Sequence, residues 1–187
     1  ETLSVWLRAS CRLYNLALEQ RIKAYQRRQE SLTLYDQIAF LTKLRERVSW
    51  LSGVPVQFLR DALRRVDRGF QAFFRRCKEG ADKPGFPRFR SHHRYRSLEQ
   101  LQSGKFVRAG NKIFVPGIGL VTARGQQEFS GKQKGLRIVR RACGWFAQVL
   151  VDDGKSAPDK IPVQESCGID VGLNSFATLD NGDKIEN

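Results

Sequence analysis

The sequence predicts an α+β protein in three parts: helices, a small antiparallel β-domain, and the opening strands of a third unit. Apolar residues recur at helical steps through roughly the first eighty positions. Beyond position 104 they give way to short β-like runs punctuated by glycine. After a polar, Pro-containing linker at 152–162, the pattern restarts as strand, strand, Asn-Gly hairpin and strand. These shifts divide the chain into a helical part (1–82), a β part opened by a basic connecting loop (83–160), and a third unit (161–187). Its 187 residues suffice for one ordinary domain or two small ones.

The first helix is expected from Leu3 to about Arg28, with Leu3, Leu7, Cys11, Tyr14, Leu18, Ile22 and Tyr25 on its apolar face. The chain contains no Met and opens inside this helix, so we expect its true N-terminus to lie upstream. A second helix is expected from Leu34 to Val48 with Thr33 as N-cap, broken by Trp50-Leu51-Ser52-Gly53. Pro55 suits the first turn of the third and clearest helix. One stripe of that helix is Val56, Leu59, Leu63, Val66, Phe70, Phe73 and Cys77; another is Arg60, Arg64, Arg68, Gln71, Arg75 and Lys78. Gly80 ends it. Strands are expected at 105–109, 112–115, 118–123, 136–142 and 145–151, with Gly144 as a tight turn. Short strands at this spacing suggest a compact barrel.

Hydrophobic residues make up 41% and charged residues 28% of the chain, a globular composition with net charge +14. Residues 1–150 hold 30 Lys/Arg against 11 Asp/Glu, whereas residues 151–187 hold 3 against 8. A basic body of this kind binds polyanions, most commonly nucleic acid. No apolar run reaches membrane-spanning length and no signal peptide is visible, so no membrane partner is expected. Cys11, Cys77, Cys143 and Cys167 form no CxxC pair and read as reduced packing residues of a cytoplasmic protein.

The basic stripe of the third helix, with few acids nearby, suits phosphate contact. The loop after it alternates cations with rings: Lys83, Phe86, Arg88, Phe89 and Arg90, then Arg94, Tyr95 and Arg96. That alternation suits RNA or single strands, where arginine meets phosphate and rings stack on bases. An equal alternative is a loop pinned into the core by Phe86 and Phe89, with its arginines solvated. His92 and His93 are adjacent and lack spaced ligand partners, so they read as loop residues rather than metal ligands. In the third unit Asp170 lies among Ile169, Val171 and Leu173, bracketed by Gly168 and Gly172. Burying a carboxylate there demands compensation, and a divalent metal is one candidate. The hairpin that follows fits the opening of an RNase H-like fold, whose first strand supplies a metal-binding Asp. Asp180, Asp183 and Glu186 read as turn or surface charges.

Three stretches resemble the transposon-encoded TnpB (OrfB-type) proteins, relatives of the type V CRISPR effectors. Gly168-Ile169-Asp170-Val171-Gly172-Leu173 through Lys184-Ile185-Glu186-Asn187 resembles the first RuvC motif. Gly85-Phe86-Pro87-Arg88-Phe89-Arg90 with Tyr95-Arg96-Ser97 resembles the connecting segment. Ser49-Trp50-Leu51, Val54-Pro55-Val56-Gln57, Asp67-Arg68-Gly69-Phe70 and Phe73-Phe74 resemble the helical region. The resemblance implies a helical recognition lobe, a wedge β-barrel and the first strands of a RuvC nuclease domain. It implies binding of a guide RNA from the transposon end and of target double-stranded DNA, with Mg²⁺-dependent cleavage in the complete protein. It also implies a prokaryotic, nucleoid-associated location. Asp170 matches the first catalytic, metal-binding carboxylate, and Gln57 and Arg60 lie where the family reads the target-adjacent motif.

The family's later RuvC carboxylates and its zinc ribbon have no counterpart in this sequence, so zinc is expected only in a C-terminal part beyond Asn187. The chain alone is expected to be inactive as a nuclease. A nuclease-dead, RNA-guided transcriptional repressor and a basic RNA-binding protein are the alternatives.

Overall fold

A computed structural model describes residues 1–101, 108–109, 111–125, 130–156, 166–173 and 175–186. Part of the strand expected at 105–109 and most of the linker at 152–162 lie outside the described residues. The chain forms two compact units, Glu1–Gly154 and Lys155–Asn187.

Among the described residues, the first unit holds four helices: α1 (Thr2–Arg28), α2 (Leu34–Arg47), the single turn α3 (Ser49–Ser52) and α4 (Val56–Lys78). Thr33 caps α2 as expected. Its Oγ1 accepts from the Asp36 N–H at 3.2 Å, and Asp36 Oδ2 accepts from the Thr33 N–H at 2.8 Å. This reciprocal pair satisfies two donors that a helix start leaves open. The segment read as a break is itself a helical turn, held by Arg45, which donates to the carbonyls of Ser52 and Val54 at 3.3 and 3.2 Å. Pro55 sits one position earlier than expected, at the N-cap of α4. Gly80 ends α4 at φ 74°, with the Gly80 and Ala81 N–H groups donating to the carbonyls of Cys77 and Arg76. Those are the two closing bonds of a Schellman cap.

The strands are β1 (Ser97–Gln100), β2 (Arg108–Ala109), β3 (Lys112–Val115), β4 (Gly119–Thr122), β5 (Lys132–Arg141) and β6 (Gly144–Asp152). They make two antiparallel three-stranded sheets, ordered β1-β5-β6 and β2-β3-β4. Neither closes into the barrel expected from the strand spacing. Short strands are compatible with a barrel or with separate small sheets, and pairing, which spacing does not encode, decides between them.

One core runs through helices and strands. Trp6, Leu18, Phe58, Leu59 and Val66 from the helices pack with Tyr95, Leu98, Ile113, Val115, Leu136 and Ile138. Each fully buried Leu or Phe contributes roughly 1.5–3 kcal/mol. Gly117, at φ 81° in the β3–β4 turn, lies where an added Cβ would meet Pro55 and the Trp6 ring at 2.9 Å. Of the four cysteines, all free thiols, only Cys11 packs in the core, and Cys77, Cys143 and Cys167 are exposed. No helix among the described residues is long and apolar enough to cross a membrane.

The second unit is a three-stranded antiparallel sheet of β7 (Ile169–Asp170), β8 (Ala177–Leu179) and β9 (Lys184–Ile185), in that order. Its β8–β9 turn is the expected Asn181-Gly182 hairpin, with Gly182 at φ 92°. The Gly182 N–H donates to the Leu179 carbonyl at 2.9 Å.

Candidate nucleic-acid interface

The α4 sequence carries seven Lys/Arg and two Asp, and folding sorts them into two groups. Arg65, beside the basic stripe, turns to an acid of its own helix. Its Nη2 lies 2.7 Å from Asp61 Oδ2, and its guanidinium stacks 5.0 Å over the Tyr95 ring. The contact with Asp61 is an ion pair without the alignment of a hydrogen bond. Asp61 is only 1% exposed, and burial pushes its carboxyl above the usual range, with Arg65 opposing that shift. Arg76 turns towards the following loop. The remaining stripe is Arg60, Arg64, Arg68, Arg75 and Lys78, of which Arg60 and Arg64 are half-buried and the other three exposed. Among the described residues, the ion pairs of the α4 cations are those of Arg65, Arg68 and Arg75, which leaves Arg60, Arg64 and Lys78 of the stripe without an acidic partner. Arg68 and Arg75 reach only to 3.9 Å from Glu99 and Glu79. Asp67, the other acid of α4, is taken inward by Arg21 at 2.9 Å, and Gln71 donates to it at 2.7 Å.

Gln57 is half-buried on the first turn of α4. Arg60, one turn on, lines a cleft of about 430 Å³ between α2 and α4 with Arg45, Ile38, Leu41 and Val56. The Arg60 Nε is buried without a partner among the described residues.

Residues 83–96 are held mainly by backbone atoms. Arg76 donates to the carbonyls of Pro84 and Gly85. The Tyr14 hydroxyl donates to the Arg88 carbonyl at 3.2 Å. Asn15 clasps Arg90 from both sides, accepting from its N–H at 2.9 Å and donating to its carbonyl at 2.8 Å. Gly69 leaves room for Pro87, whose Cβ and Cγ lie 3.6 Å from where a Cβ would sit. Phe86 meets Phe70 and Phe73 edge-on at 5.6 and 5.2 Å. Lys83, Arg88, Arg90 and Arg96 are exposed. The pinned-loop reading therefore holds in part: the backbone is fixed and the arginines face solvent, but Phe89 is exposed rather than set into the core.

Tyr95 corrects one expectation. It is 1% exposed and belongs to the core, between Arg65 and Tyr14. Burial pushes its hydroxyl well above the ordinary value, and its ring is closed to a base. The alternation of Arg and Tyr cannot separate a solvent-facing ring from one that anchors a strand, and β1 begins two residues later. Glu99 of β1 was missed entirely. It is 7% exposed and accepts from Arg137 at 2.9 Å. Asn15 was also missed; its only sequence signal is a polar residue interrupting an apolar helical run.

Asp170 sits in β7 opposite Thr178. It is exposed, as are Ile169, Val171 and Leu173, the last at 97%. The buried carboxylate read from the apolar flanks is therefore corrected. Three short strands offer one layer, and an apolar pattern is buried only where a second layer covers it. Asp180 ties β7 to the hairpin, its Oδ2 accepting from the Gly168 N–H at 2.9 Å. That bond, with a weaker one from Cys167, holds its carboxyl below the usual range. Asn181 donates to Asp183 Oδ2 at 2.7 Å within the turn. No group of three or more His, Cys, Asp or Glu that could hold a metal occurs among the described residues. A hard divalent cation needs several oxygen ligands, so the described residues alone do not fit Mg²⁺ or zinc.

No protein-family model matches the chain. Two curated relatives share the printed name "Putative RNA-guided DNA endonuclease". To InsQ of Escherichia coli (strain K12) the chain is 28% identical over 138 residues, covering 73% of this chain and 32% of that protein. To one from Streptomyces pristinaespiralis it is 30% identical over 182 residues, covering 94% of this chain and 43% of that protein. The chain thus spans about a third to two fifths of the length of these relatives. Their similarity runs across most of its helices and strands. The resemblance read from the motifs holds: the chain is TnpB-like.

Proposed function

We propose that this chain is the nucleic-acid-holding portion of an RNA-guided DNA endonuclease. The observation that carries the reading is the row of cations along α4, stripped of its acids by inward pairing; Arg88, Arg90 and Arg96 of the following loop are also exposed. Charges left unpaired in this way serve phosphate contact, which brings affinity and salt dependence but no sequence information. A guide RNA from the transposon end and target double-stranded DNA are the partners. Gln57 and Arg60 have the side chains to read base edges at a target-adjacent motif. The names of both relatives favour an endonuclease over a repressor.

On this reading Asp170 contributes one carboxylate to a Mg²⁺ site that needs further ligands, and the chain alone does not cut DNA. Sequencing the RNA that co-purifies with the chain tests the proposal. A discrete RNA species from a transposon end supports it. Recovery of bulk RNA alone, stripped by salt, refutes it. Mg²⁺-dependent cleavage by the purified chain that is lost in Asp170→Ala would overturn the inactivity.

A further inference from the structure

We infer that a cleft between α1 and residues 89–92 seats one unpaired nucleotide of a single-stranded nucleic acid. The cleft is about 490 Å³ and is lined by Arg8, Arg12, Asn15, Leu16, Phe89 and Arg90, among others. That volume lies within the roughly 300–1,000 Å³ of small-ligand sites. It is large enough for a nucleotide and too small to enclose a duplex.

Three arginines, Arg8, Arg12 and Arg90, line it. Arg8 and Arg12 stand one turn apart on α1, and like charges at that spacing repel. Neither has an acidic partner among the described residues, and the one acid of the cleft, Glu19, is paired with Lys23. An anion relieves this repulsion. Two of the three are already placed: Arg12 stacks 4.7 Å over the Trp50 ring and Arg90 5.3 Å over the Tyr14 ring. Little ordering remains to be done on binding.

Phe89 supplies the second half of the site. Its ring is 58% exposed, yet the chain on either side is clamped, at the Arg88 carbonyl by Tyr14 and at Arg90 by Asn15. The clamps keep the ring from sinking into the core. A ring held at the rim of a cationic cleft matches the stacking-plus-phosphate mode by which single strands bind. An acidic peptide would use the arginines but not the ring. The α4 stripe is a different surface, and none of its cations lines this cleft.

The inference rests on the nucleic-acid reading above, and the test separates the two. Anisotropy of labelled single-stranded RNA, single-stranded DNA and duplex DNA of equal length is measured over a salt series. Phe89→Ala should weaken single-strand binding about fivefold or more, the scale of losing one stacking ring, and leave duplex binding within about twofold. Phe89→Tyr, which keeps the ring, should restore it. Arg8→Gln with Arg12→Gln should flatten the single-strand salt slope by about 0.7, the share of the one phosphate they hold together. Loss confined to RNA marks RNA as the source of the nucleotide, and equal loss marks any single strand; both support the seat. Single-strand binding indifferent to Phe89→Ala, or equal weakening for duplex, overturns it while leaving the proposed function standing. A parent protein that binds no oligonucleotide at low salt overturns both.

Discussion

Replacing Arg21 with alanine should cost the helical layer about 3–4 kcal/mol. Arg21 reaches from α1 to both other long helices. Its Nε donates to Gln37 Oε1 and its Nη2 to Asp67 Oδ1, each at 2.9 Å, and its guanidinium lies 5.3 Å over the Phe70 ring. Gln37 is 2% exposed, and its Nε2 is already committed to the Ala17 carbonyl and Gln20. Truncation strands its Oε1 in the interior, at about 1–3 kcal/mol. Breaking a buried ion pair usually costs about 3–5 kcal/mol. The lower part of that range applies because Asp67 keeps its bond from Gln71 and some contact with solvent. At about 2–4 °C per kcal/mol for a chain of this size, Tm should fall by roughly 6–16 °C. Urea unfolding followed by tryptophan fluorescence reports it, since Trp6 and Trp50 both pack on the core. The midpoint should drop while the m-value stays constant. A shift worth less than about 1 kcal/mol would show that Arg21 is not the brace described.

Thr33→Ala removes the α2 cap and should cost about 1 kcal/mol, read as a small drop in the same urea midpoint. Asp61 has a raised carboxyl in the folded state. Its contribution is therefore fully present below its ordinary value of 3.8 and is lost as pH rises through the raised folded value. In Asp61→Asn the plot of unfolding free energy against pH should lose that downward component over the same window, whatever its absolute level. An unchanged slope would argue against burial of the charge. Arg64→Gln and Lys78→Gln should each flatten the salt slope of duplex DNA binding by about 0.9 and leave Tm nearly unmoved; unaltered slopes would remove α4 from the interface.

The helices were legible because their signals are local. Thr33, Pro55 and Gly80 act through the backbone beside them, and the α4 stripes are a matter of spacing. What escaped depends on distant partners. β1 reads Ser97-Leu98-Glu99-Gln100, with one apolar residue and two large polar ones, and no periodicity marks it as a buried strand. Glu99 is tolerated inside because β5 places Arg137 opposite it, with Arg68 of α4 at 3.9 Å. Arg65 lies beside the basic stripe in sequence, and its withdrawal to Asp61 involves Tyr95 from thirty residues away. The stripe itself was visible in the sequence; which of its cations remain unpaired was not. In the second unit the Asn-Gly hairpin was readable, whereas burial of Asp170 was inferred from its apolar flanks and does not follow from three short strands.

The loop from Pro84 to Arg90 is gripped by its carbonyls and one N–H, not by its side chains, at most of its anchor points. Every amino acid carries those carbonyls, so the path of the loop is largely indifferent to what is written on it. Positions 88 and 90 can change charge, length or ring content without the chain relocating; proline at 90, which lacks the N–H that Asn15 holds, is the exception. Placement and selectivity are thereby inherited separately. A lineage can retune what this surface recognises one substitution at a time, while Tyr14, Asn15 and Arg76 go on holding the same curve.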